Sequence, residues 1–154
     1  MKGVYVLIIE VPEDKHLIIK ALGDLLFERG IWLYVGSAMG GGSTSLENRI
    51  NRHFRKEKTV HWHIDALLRH STNLQAAIWA ESFQSMECQV AKKFERMDEF
   101  NPGHRGFGAS DCSNHCTSHL FYCKDNEKVQ DLVSMIFVEL DLKPSITFDG
   151  RIMS

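Results

Sequence analysis

Residues 31–54 read IWLYVGSAMGGGSTSLENRINRHF, and the order of residue types in this stretch decides the fold. Ile31–Val35 is a short aromatic and branched run, the composition of a strand, and it follows Arg29-Gly30. Gly36–Thr44 is rich in glycine and reads as a loop. Thr44 with Glu47 three residues later makes a capping box, so a helix begins near Thr44. Leu46, Ile50 and Phe54 recur at helical spacing and mark the face turned to the core. Arg49, His53 and Lys56 keep that spacing on a flanking stripe, so the helix presents its basic residues together beside its buried face.

Outward from this unit, Val4–Ile9 is apolar without alternation, which predicts a strand covered on both faces. His16–Lys20 forms a second extended piece before a turn at Gly23-Asp24. Trp62–Arg69 is helical or irregular, and Leu74–Trp79 is a third strand. Met86–Met97 reads as a helix with Val90, Ala91 and Phe94 inward, closed by turn chemistry at Asn101-Pro102-Gly103. His119–Cys123 is a short strand. In Asn126–Leu140, Val129, Leu132, Val133, Ile136, Phe137 and Leu140 form one apolar stripe; Asn126 can cap it and Pro144 bars its continuation. Strands interspersed with helices predict an α/β or α+β layer structure. With no repeat, low-complexity tract or dividing linker, residues 1–154 are expected to form a single domain.

An apolar fraction of 44% and a charged fraction of 25% describe an ordinary soluble globular protein. Glu10, Pro12, Glu13 and Asp14 stop the first apolar run far short of a membrane span, so neither export nor membrane insertion is expected. A cytoplasmic setting follows as the expectation, with the four cysteines reduced. The net charge of −2 argues weakly against nucleic acid, since phosphate neutralisation dominates such binding. Distribution matters more than the sum. Between Leu46 and His63, Arg49, Arg52, Arg55, Lys56 and Lys58 face only Glu47 and Glu57, with His53, His61 and His63 in the same window. This suits a phosphate-binding face on an acidic body, and equally a solvated helix face.

Two short motifs carry candidate chemistry: Gly3-Val4-Tyr5 and Tyr34-Val35-Gly36, each on a predicted strand. A phenol can hydrogen-bond a water or an anionic oxygen, and an adjacent glycine lets a substrate backbone approach. Taken alone, they also read as two buried strand tyrosines with satisfied hydroxyls. Gly36–Thr44 is not a phosphate loop, because no lysine follows in the P-loop pattern and no dinucleotide fingerprint appears.

Followed by Arg49 and His53 on one helix, these motifs resemble the GIY-YIG nuclease domain. Residues 32–38 (WLYVGSA), His61-Trp-His-Ile-Asp65, Glu87-Cys88 and the stretch Gly106–Phe121 resemble more specifically its archaeal and bacterial branch catalogued as domain of unknown function 123, sometimes joined to endonuclease III. The resemblance runs from Gly3 to about Tyr122. It implies a small, mainly antiparallel sheet flanked by helices, and a metal-dependent endonuclease-like activity on the phosphodiester bonds of DNA, with a repair context. By position, Tyr5 and Tyr34 match the family tyrosines, Arg49 the helix arginine and Glu87 the glutamate that holds Mg²⁺ or Mn²⁺. Valine replaces isoleucine in both motifs, and the link between the tyrosines is longer than usual, which suggests an inserted strand or turn.

The chemistry asks for a base, a phosphate clamp and a cation. Arg49 offers a planar fork of donors. Tyr5 can take a proton only if its pKa falls well below about 10; otherwise His53 is the better base. Glu87 sits in a helix first turn, where a carboxylate is favoured as a cap as well as a ligand, and Glu81 is a reserve ligand. Arg52, Arg55, Lys56, His61 and His63 are the expected nucleic-acid contacts. His61-x-His63-x-Asp65 would share one face if extended, lining the cleft or holding zinc or iron in a different hydrolase. Cys112-x3-Cys116-x2-His119 with Cys88 could complete a structural zinc site, or form part of a reduced core. The alternatives are therefore a non-catalytic nucleic-acid-binding module and a zinc-stabilised interaction domain.

Overall fold

The computed structural model describes residues 1–56, 60, 62–69, 72–109, 116–123 and 127–152. The chain runs β1 (Gly3–Val11), β2 (Lys15–Ile19), β3 (Gly23–Phe27), β4 (Gly30–Ala38), α1 (Leu46–Phe54), α2 (His63–Arg69), β5 (Asn73–Glu81), α3 (Glu87–Glu95), β6 (Asn101–Pro102), β7 (Leu120–Cys123), α4 (Val129–Glu139) and β8 (Ser145–Thr147). Six strands make an antiparallel sheet in the order β6-β7-β4-β1-β5-β8, and β2 with β3 forms a separate hairpin. This is the α/β architecture expected, a mainly antiparallel sheet flanked by helices.

Strand β1 is central and is buried on both faces, which is why its sequence does not alternate between apolar and polar. Tyr5, Leu7, Ile9 and Val11 point to one side, where Leu17 and Phe27 of the hairpin, Leu46 and Ile50 of α1, and Ile64 and Leu67 of α2 pack with them. Val4, Val6 and Ile8 point to the other side, against Val90, Ala91 and Phe94 of α3 and Val129, Val133, Ile136 and Phe137 of α4. The helical stripes read from sequence are the faces buried here.

Several local expectations are corrected. Gly36, Ser37 and Ala38 are not loop but the last residues of β4, because they pair in register with Tyr5, Val4 and Gly3. The helix cap is Ser45, whose hydroxyl accepts from the Asn48 N–H at 3.3 Å. Thr44 instead belongs to a 3-10 turn and donates its hydroxyl to the Gly41 carbonyl at 2.8 Å. The hairpin turns at Lys20–Leu22, earlier than Gly23-Asp24; Leu22 N–H bonds the Ile19 carbonyl and Ala21 takes φ 73°. Asn101–Pro102 is a two-residue edge strand on β7, a position where proline's missing N–H costs nothing. Residues 63–69 are helical, so His63 and Asp65 do not share an extended face. Asn126, the expected cap of α4, lies outside the described residues. Among the described residues, no helix is long and apolar enough to cross a membrane.

Candidate active site

The register of β1 and β4 places Tyr5 opposite Gly36 and Tyr34 opposite Leu7, with both tyrosines on the α1 face of the sheet. The Tyr5 ring lies directly over Gly36: a Cβ there would stand 2.5 Å from Tyr5 Cζ. The glycine of the second motif thus makes room for the tyrosine of the first. Tyr34 is crowded in the same way by Gly108, which holds φ +69° and whose Cβ would come within 2.8 Å of Tyr34 Cε1.

Helix α1 supplies the opposite wall. His53 is 2% exposed, and its Nε2 lies 2.8 Å from the Tyr5 hydroxyl, itself on a side chain 3% exposed. One turn earlier, Arg49 donates from Nη1 to the Ser37 carbonyl at 2.6 Å, a bond that ties helix to strand β4. Its buried Nε–H finds no acceptor among the described residues. The Arg49 and Arg52 guanidinium carbons lie 5.1 and 4.6 Å from the Trp62 ring, so the indole is contacted by both. Arg52 also makes a two-pronged bond to the fully buried Asp65, at 2.8 and 3.0 Å, and the Trp62 N–H donates to the same carboxylate at 2.8 Å.

Burial pushes the Tyr5 phenol well above its usual range, and the Tyr34 phenol upward as well. For Tyr5 the neighbouring Tyr34 adds to the rise, and on both phenols Glu87 and Asp65 act in the same direction while Arg49 opposes it. Arg49 and Glu87 stand on helices at opposite faces of the sheet, and their charges shift both phenols in opposite directions. Glu87 opens α3, is partly exposed, and sets Oε2 3.8 Å from His119 Nδ1. Burial lowers the His119 pKa, with Glu87 and the Gly108 backbone pulling it back up. His63 Nδ1 accepts from the Gly108 N–H at 3.1 Å, and burial lowers its pKa too.

A pocket of about 240 Å³ opens beside His53, lined by Phe54, Arg55, Lys56, Leu68 and Asn73 among others. Arg55 and Lys56 are exposed there, just past the end of α1. The geometry thus gathers Tyr5, Tyr34, Arg49 and His53, with Glu87 acting on the two phenols through its charge and His63 reaching Tyr34 by way of Gly108. It turns Arg52 toward Asp65 and leaves Glu81 exposed at the end of β5, beside a separate cavity with Lys2 and Phe83. Lys58, His61 and Cys112 lie outside the described residues.

Beside Glu87, one donor atom each from Cys88, Cys116 and His119 lie within 4.8 Å of one another, a group that could hold a metal ion. Of the expected four-residue cluster, this includes all but Cys112. Residues missed by reading the sequence for chemistry are Phe107 and Gly108, which pack against Tyr34 and His63. Their signal was the run Gly106-Phe-Gly108, a bulky ring between two residues free to take positive φ.

No curated protein and no solved structure matches the chain. The model of the family described as domain of unknown function DUF123 matches residues 4–142, a span that holds every one of these side chains, and the chain belongs to that family.

Proposed function

We propose that the chain is a metal-dependent endonuclease-like domain of the GIY-YIG type, hydrolysing phosphodiester bonds in DNA. The observation that carries this reading is the buried bond between the Tyr5 hydroxyl and His53 Nε2, flanked by Arg49 and within the field of Glu87. A strand tyrosine with no chemical task needs only a satisfied hydroxyl. This one is hydrogen-bonded to an ionisable ring, and the charges of Arg49 and Glu87 both act on it, in opposite directions.

The raised Tyr5 pKa rules out a standing phenolate at neutral pH and favours a relay. As the attacking water forms its bond to phosphorus, its proton passes to the Tyr5 oxygen while the phenol proton moves to His53 Nε2. The bond from phosphorus to the leaving oxygen breaks, leaving a phosphate monoester and an alcohol that takes its proton from solvent. Arg49, whose Nε–H has no acceptor among the described residues, is suited to a phosphate oxygen, and Tyr34 to a hydrogen bond with the water or a second oxygen. Glu87, a partly exposed carboxylate, fits a hard cation that keeps most of its waters; bound Mg²⁺ or Mn²⁺ would polarise the phosphate and stabilise the leaving oxygen. The thiol donors of Cys88 and Cys116 suit a softer ion, zinc. Arg55 and Lys56 supply exposed positive charge beside His53 for the nucleic-acid backbone, with repair substrates, branched or damaged, in view.

A second reading, a nucleic-acid-binding module without turnover, is favoured by the burial of both phenols and by the engagement of Arg49 with Ser37. A cleavage assay on plasmid, branched and single-stranded substrates with Mg²⁺ and Mn²⁺ separates the two. The nuclease predicts nicking that chelation abolishes; the module predicts salt-sensitive binding and intact substrate under every condition.

A further inference from the structure

We infer that Cys88, Cys116 and His119 supply three ligands of a structural zinc site that fixes the Glu87 end of helix α3 to the segment leading into β7. The three ligand atoms come from two parts of the chain far apart in sequence, the first turn of α3 and the segment entering β7, and converge to within 4.8 Å. Cys88 Sγ stands 3.8 Å from His119 Nε2. In a tetrahedral zinc site, a sulfur and a nitrogen ligand are separated by about 3.6 Å, and two sulfurs by about 3.8 Å, as follows from the usual bond lengths. The Cys88–His119 spacing is close to that of two ligands around an ion, and the group as a whole, spread over no more than 4.8 Å, closes on one with side-chain movements of about 1 Å.

The histidine of this group is held by backbone bonds to its neighbours. His119 is 2% exposed; its N–H donates to the Phe107 carbonyl at 2.9 Å and its carbonyl accepts from the Val35 N–H at 2.8 Å. The backbone of His119 is therefore fixed on the sheet, and its ring sets Nε2 3.8 Å from Cys88 Sγ and Nδ1 3.8 Å from Glu87 Oε2. That is the arrangement of a metal-bound histidine, one nitrogen on the ion and the other facing a carboxylate or carbonyl that orients it. Two thiolates and one imidazole select zinc over magnesium, whose preference is for oxygen. The proposal shares Glu87 with the nuclease reading only as a neighbour, and stands without it.

The test is metal analysis of the full chain purified without added metal, followed by cobalt(II) titration of the chelator-stripped protein. One equivalent of zinc is expected, lost in Cys88→Ser and in Cys116→Ser and kept in Glu87→Gln. Stripped wild-type protein should take up cobalt with the intense sulfur-to-cobalt absorption of thiolate ligation, which zinc then bleaches. This readout stands if either cysteine variant fails to fold. Absence of zinc together with absence of that absorption would overturn the site, as would full zinc in both cysteine variants. Loss of zinc in Glu87→Gln would overturn the ligand assignment. None of these results depends on cleavage, so failure of the zinc site and failure of the nuclease reading are told apart.

Discussion

The Tyr5 hydroxyl and His53 Nε2 lie 2.8 Å apart although 48 residues separate them in the chain, and the pair is almost sealed from solvent. Strand β1 and helix α1 are thereby joined by a side-chain hydrogen bond, the one through which the proposed relay would run. Tyr5→Phe removes the relay and keeps the ring over Gly36. Its nicking rate should fall by about 10²–10⁴, the range that a positioned proton-transfer group supplies. Loss of the hydrogen bond should cost about 1 kcal/mol of stability. Single-turnover nicking and thermal melts of the variant measure both, and an unchanged rate would remove Tyr5 from the chemistry.

Gly36→Ala forces a Cβ to within 2.5 Å of Tyr5 Cζ, closer than any real contact, so strand or ring must shift. Overpacking of this kind costs about 1–3 kcal/mol. Because the displaced atom carries the hydroxyl bonded to His53, activity should fall more steeply than stability. Denaturant unfolding paired with nicking rates tests this; a variant as stable and as active as the parent would contradict the close packing.

Asp65 is fully buried and holds Arg52 and the Trp62 N–H together. Asp65→Ala should destabilise the fold by about 3 kcal/mol, as expected when one partner of a buried ion pair is removed. Asp65→Asn should cost less, since its amide oxygen can still accept from Trp62. Chemical denaturation ranks the two, and equal losses would show that the charge, not the acceptor, matters.

The sequence made some of this legible and hid the rest for identifiable reasons. Tyr5, Tyr34, Arg49 and His53 were singled out from strand motifs followed by a helical stripe, because strand and helix periods are both written locally; the non-local pairing of β1 with β4 then brings the four together. Residues 36–38 were misread because glycine breaks a strand pattern in isolation, whereas here its pairing partners Gly3–Tyr5 decide. Ser45 and Thr44 are adjacent hydroxyls, and only the 3-10 turn that uses Thr44 leaves Ser45 as the cap. The Arg52–Asp65 pair spans 13 residues across two helices, beyond any local rule. Strands β6 and β8, of two and three residues, are too short to show a period.

His63 gives the account a pH dependence. Its folded pKa lies below the ordinary 6.5, because burial disfavours the charged ring. The unfolded chain then binds more protons than the folded one, so stability rises with pH through this group. Its contribution is neutral above 6.5 and becomes a growing penalty as the pH falls through 6.5 toward the lower folded pKa. His63→Gln offers an amide oxygen to the same Gly108 N–H without titrating. It should flatten that part of the stability profile, and identical profiles in urea melts would refute the assignment.

The most direct test of the nuclease reading is the single-turnover rate of magnesium-dependent strand cleavage in the wild-type chain and in Arg49→Ala, at DNA concentrations that saturate both. The account predicts cleavage by the wild-type chain and at least a hundredfold (~10²) slower rate in the variant with the fold intact, since Arg49 acts on charge that develops in the transition state. Saturating binding with no cleavage by the wild-type chain, or equal rates in the two proteins, would contradict it.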